Sequence, residues 1–185
     1  MTMMNRDEAF QILASMTKSA SLLRHARTVE LVMRALARKF GEDEDLYGIT
    51  GLLHDADYEM YPDKHPQVIV DMLQEKGYKD MAHAIAGHYT PSGVPRVSLM
   101  DKCIVAADEI TGFIVASALI RPTKIEGMKT KSVMKKFKTA TFAASVDRNE
   151  CRLGSEMIGM ELPELVAFII PVLQDHKEEL ELAAP

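Results

Sequence analysis

The chain has 185 residues, 47% hydrophobic and 26% charged, which suits one globular domain or a domain with a small appendage. Its formal net charge of −5 argues against nucleic acid as a partner, because such binders usually carry a basic surplus. The two cysteines, Cys103 and Cys151, form no CxxC pair, so spacing offers neither a disulfide framework nor a thiolate metal site.

The first residues, MTMMNRDEAF, hold no apolar stretch leading to a cleavage site. The longest apolar run, Cys103 to Ile120, is broken by Asp108 and Glu109 and is too polar and short for a membrane span. A cytoplasmic protein with no membrane partner is the expectation. Self-association is left open.

Helical periodicity dominates and no strand-like alternation occurs, so the expected fold class is all-α. A short helix is expected from Asp7 to Thr17, then one from a cap at Ser21 to Phe40, stopped by Gly41. On the second, Leu22, His25, Val29, Val32 and Leu36 share a face. A third helix runs from Asp43 into GLLHDAD, followed by a loop over Tyr58 to Lys64. Pro66 suits the first turn of a fourth helix ending near Gly77. A fifth covers Lys79 to His88, and a long sixth spans Ser98 to Ile120 before Pro122. A lysine-rich segment precedes helices at Arg148 to Ile158 and Pro163 to Leu180. This divides the chain into a compact helical core, 1–120, and a helical C-terminal extension, 121–185, packed on the same domain.

Ionisable groups stand where a core prefers leucine. His25 lies on the apolar stripe of its helix, His54 and Asp55 end the run Ile49 to Leu53, and Asp108 shares a face with Ile104, Thr111 and Val115. A buried carboxylate must find a cation or strong donors. Each residue also has a plainer explanation. A histidine on an apolar face is often a hydrogen-bonded core residue, an aspartate can cap a helix, and a His-Asp pair at a helix end can be a C-terminal cap. One shared metal explains all of them together.

The ordered segments RHARTVE, GLLHDAD and AADEI resemble the HD superfamily of metal-dependent phosphohydrolases. The resemblance implies that His25, His54, Asp55 and Asp108 bind one divalent cation. Some HD proteins place two more histidines between the His-Asp pair and the last aspartate, and these hold a second metal. Here HPQVIVDMLQEKGYKDMAHAIAGH offers His65 and His88 for that role, with His83 a poorer candidate because it leaves their face. The cofactors implied are one or two divalent ions among Fe, Mn, Co, Ni, Zn and Mg.

Certain cyclic-dinucleotide phosphodiesterases of the superfamily carry Gly and Lys after the His-Asp pair. Here Ala56, Asp57, Tyr58 and Glu59 follow, which disfavours that substrate. Asp57, Glu59 or Asp63 could orient a water or protonate a leaving group, and they could equally be a solvated acidic loop. Asp55 and Glu59 are the catalytic candidates.

Arg121, Lys124, Lys131 and Lys135 head a basic segment suited to phosphate, although such a run is often only a solvated helix face. From RP through KKFK to VDR this segment also resembles the tail of an uncharacterised HD-hydrolase subgroup. The function implied is hydrolysis of a nucleotide or other small phosphorylated metabolite by a metal-activated water. The alternatives are an oxygenase like the di-iron HD enzymes and a non-catalytic nucleotide-binding regulator.

Overall fold

The computed structural model describes residues 4–185, and among them nine α-helices and no strand. The fold is all-α, as the periodicity predicts. Two compact units divide the chain, one reaching as far as Ile104 and the other Val105–Pro185. Their boundary falls inside the sixth helix, whereas the sequence reading divides the chain after it.

In the first unit, α1 (Arg6–Met16) opens with a reciprocal cap at Asn5. The Asn5 side chain accepts from the Glu8 N–H at 2.9 Å, and Glu8 accepts from the Asn5 N–H at 3.1 Å. Helix α2 (Ala20–Phe40) starts after Ser19 rather than Ser21, and stops at Gly41, whose φ of 74° suits glycine. Helix α3 (Glu44–Leu53) begins where Asp43 accepts from the Leu46 N–H at 2.9 Å. Helices α4 (Gln67–Glu75) and α5 (Lys79–His88) follow. Both α1 and α2 pack on α3, α4 packs on α5, and α5 touches α3. Leu13, Ile49, Leu52, Leu53, Ile69 and Leu73 are among the buried side chains between them.

Two glycines let α3 approach α2 closely. A Cβ on Gly51 would lie 2.9 Å from Met33 Cγ and 3.0 Å from the Val29 carbonyl oxygen. A Cβ on Gly48 would lie 2.5 Å from Arg34 Nε. That arginine belongs to a network around Glu30, a buried carboxylate on α2. Arg6 meets Glu30 through two bonds of 2.7 and 2.9 Å, Arg27 at 2.9 Å and Arg34 at 3.2 Å. Burial raises the Glu30 pKa, but Arg6 and Arg27 outweigh it and hold the group below its usual range.

The second unit holds the rest of α6 (Leu99–Leu119), α7 (Thr130–Phe137), α8 (Arg148–Met157) and α9 (Leu162–Asp175). Helix α7 is absent from the sequence reading; Val133 and Phe137, one turn apart, are its buried anchors. Helix α9 carries Pro163 in its first turn, passes through Pro171 and ends at Asp175, short of the expected Leu180. Both α7 and α8 pack on α9. The Arg148 guanidinium lies 4.9 Å over the Phe113 ring and donates to the Val146 carbonyl at 3.0 Å. Among the described residues no helix is long and apolar enough to cross a membrane.

Candidate metal centre

His25 sits in the second turn of α2, at the end held by the loop after α3. Glu59 accepts from the backbone N–H groups of Lys18 at 2.7 Å and Ser19 at 3.0 Å. Thr17 donates to the Ala56 carbonyl at 2.9 Å. The turn that carries Asp55 is therefore tied to the start of α2. Glu59, a catalytic candidate from sequence, spends one carboxylate oxygen on this tie.

His54 follows the last residue of α3 and is buried, with Nδ1 2.7 Å from the Gly51 carbonyl. His88 ends α5, with Nδ1 2.5 Å from the Ile85 carbonyl. Arg96 steadies that helix end by donating to the Gly87 carbonyl at 2.8 Å and to Thr90 Oγ1 at 2.6 Å. His65 precedes α4, with Nδ1 2.7 Å from Asp57 Oδ1. Carbonyl and carboxylate oxygens only accept, so in all three rings Nδ1 carries the proton and donates it.

The Nε2 atoms of all four histidines converge on Asp55. Its Oδ2 lies 3.6 Å from His25 and 3.3 Å from His54. Its Oδ1 lies 3.3 Å from both His65 and His88. One carboxylate thus stands between two pairs of imidazoles, one pair at each oxygen. Ligand atoms of His25, His54 and Asp55 lie within 4.8 Å of one another, and so do those of Asp55, His65 and His88.

This donor set fits divalent cations. Ligands about 2.0–2.2 Å from a common ion stand roughly 3.0–3.5 Å apart in octahedral or tetrahedral arrangements, close to the separations at Asp55. Burial raises the Asp55 pKa, yet the facing imidazoles of His54 and His88 hold it well below the usual carboxylate range. A neutral ring presents its Nε2 lone pair to an anionic oxygen, which is repulsive, and a divalent ion between them satisfies both partners.

Residues 22–112 match the family model of the HD domain. The chain carries an HD domain over these residues. The matched segment contains every histidine of the cluster, Asp55 and Asp108. No curated protein and no solved structure matches the chain.

In this HD protein Asp108 is carried by α6, four residues beyond the end of the first unit. His83 stays outside the cluster and pairs with Asp101 at 3.2 Å. Of the four basic candidates, Arg121 donates to the carbonyls of Lys124 and Glu126, and Lys124 donates to that of Glu181 at 2.9 Å. Lys131 and Lys135 are exposed on α7. Sequence reasoning missed the specific role of Asp57 beside His65. It also missed the close packing that GLLHDAD needs at Gly51.

Proposed function

We propose that this HD protein is a two-ion phosphohydrolase acting on a nucleotide or other small phosphorylated metabolite. The supporting observation is Asp55, whose oxygens face separate histidine pairs, as a ligand shared by two ions must. The HD family is largely one of metal-dependent phosphohydrolases. His25, His54 and Asp55 would hold one ion, and Asp55, His65 and His88 would hold the other. Imidazole-rich donors of this kind favour Mn, Fe, Co, Ni or Zn over Mg.

When bound, such ions polarise a phosphoryl oxygen and increase the acidity of an attacking water. The chain's part is to hold the Nδ1–H groups of His54, His65 and His88 against their acceptors, so that those Nε2 lone pairs stay aimed at the cluster. Asp55 remains ionised and spans the two positions. Lys131 and Lys135 are exposed and carry ammonium groups of a kind that suits phosphoryl oxygens.

The test combines metal analysis with a phosphatase and phosphodiesterase panel run with Mn, Co, Ni and Mg. The double variant His65→Ala, His88→Ala should lose about one metal equivalent, keep the other and lose most hydrolysis. Wild-type metal content and activity in that variant would leave a one-ion site as the description. Dioxygen consumption without phosphate release from any substrate would point to oxygenase chemistry instead.

A further inference from the structure

We propose that Asp57 is the positioning residue for His65, fixing the tautomer and ring orientation on which the second ion depends. This rests on the two-ion reading above. The other backed rings need no such device. His54 and His88 each donate to a carbonyl three residues earlier in their own helix, at Gly51 and Ile85, so ordinary helix geometry supplies the acceptor. His65 follows the short 3-10 turn Pro62–Lys64 with extended backbone (φ −61°, ψ 135°), and its Nδ1 bonds to no carbonyl of that turn. Asp57 provides the acceptor instead, at 2.7 Å.

Asp57 is itself held rigidly. Its side chain is fully buried, and its second oxygen accepts from the Ile69 N–H at 3.0 Å, in the first turn of α4. Its backbone carbonyl accepts from the Tyr61 N–H at 2.8 Å. The carboxylate thus joins two donors that belong together, the His65 ring and the start of the helix following it. An anionic acceptor also makes an imidazole a stronger ligand than a neutral carbonyl does. The second position therefore has one ligand backed by charge.

Asparagine at this position has one acceptor oxygen for two donors. If that oxygen keeps the Ile69 N–H, the amide nitrogen faces His65 Nδ1 and the ring proton moves to Nε2. That proton then points toward Asp55 Oδ1, 3.3 Å away, where the second ion would bind. If the oxygen stays with His65, the helix loses its N-terminal acceptor. Either outcome disturbs the second position more than the first.

The experiment titrates metal-free wild type and Asp57→Asn with Mn²⁺ by calorimetry. In parallel, ¹⁵N NMR at about pH 8.5, where unperturbed imidazole is neutral, reads which His65 nitrogen carries the proton. Wild type should show His65 protonated at Nδ1. Asp57→Asn should bind the second ion about 10–100-fold more weakly, keep first-ion affinity and show a changed His65 spectrum. Two unaltered affinities in Asp57→Asn, or a wild-type His65 with bare Nδ1, would overturn the proposal. Wild type binding only one ion while His65 keeps its Nδ1 proton would overturn the two-ion reading and leave the Asp57–His65 contact standing. If the variant fails to fold, the wild-type His65 spectrum still decides whether Asp57 holds that proton.

Discussion

Replacing Gly51 by alanine tests how closely the site depends on the contact between α2 and α3. Alanine favours a helix interior by about 1 kcal/mol over glycine, so propensity alone predicts a more stable protein. The new Cβ, however, would stand 2.9 Å from Met33 Cγ, 3.0 Å from Val29 O and 3.1 Å from Val29 C. Comfortable carbon contacts lie at about 3.5–4.0 Å, and two of these neighbours are backbone atoms with little freedom to move. Overpacking of this kind costs about 1–3 kcal/mol, leaving a net loss of about 1 kcal/mol and a Tm drop of about 2–4 °C. Val29 lies one turn beyond His25, and the Gly51 carbonyl holds the His54 ring. Moving α3 away from α2 therefore moves one histidine of the first pair relative to the other. Metal sites tolerate about 0.5 Å of such displacement, so affinity for the first ion should fall about tenfold. Gly87→Ala is the control, because its Cβ would meet nothing closer than 3.7 Å and should be neutral or stabilising. Thermal melts of metal-free proteins and Mn²⁺ titrations measure both effects. A Gly51→Ala variant as stable as wild type, with unchanged metal affinity, would refute the tight-contact reasoning.

Glu30→Gln should destabilise the fold by about 2–3 kcal/mol near neutral pH, towards the low end for a broken buried pair because the arginines reach solvent. The folded Glu30 pKa is lowered from 4.5, so its charge contributes fully above that value and loses its contribution as pH falls through the folded pKa. Denaturant melts should show the gap between wild type and variant closing below about pH 4.5, and a constant gap down to pH 3 would be wrong for this network. Removing bound metal with a strong chelator should lower Tm, since an ion present at about 100 times its Kd stabilises the folded state by about 2.7 kcal/mol. An unchanged Tm after verified removal would separate metal binding from folding.

Much of the cluster is legible in the sequence because its members violate local patterning. His25 on an apolar stripe and His54-Asp55 closing an apolar run are visible without any contact map. His65 and His88 become candidates through the HD resemblance, which expects two more histidines in that order, and their places at helix ends agree with it. Periodicity also outlines every helix except α7, where two apolar anchors in eight residues are too few among lysines. The Glu30 network is hidden because its partners lie at Arg6, Arg27 and Arg34, and a glutamate flanked by arginines reads as a solvated helix face. Asp57 is hidden for a related reason. It closes the acidic motif GLLHDAD, and nothing in its spacing distinguishes a water-orienting carboxylate from one that holds a histidine eight residues later. Gly51 looks like an ordinary helical glycine until the neighbouring backbone is in place.

The most direct test of the shared-carboxylate site is the number of Mn²⁺ or Co²⁺ ions retained per chain by wild type and Asp55→Ala after equilibration and desalting. A carboxylate serving both positions requires about two ions in wild type and weakened binding of both in the variant. Wild type retaining no metal, or Asp55→Ala retaining the wild-type number with equal affinity, would contradict it.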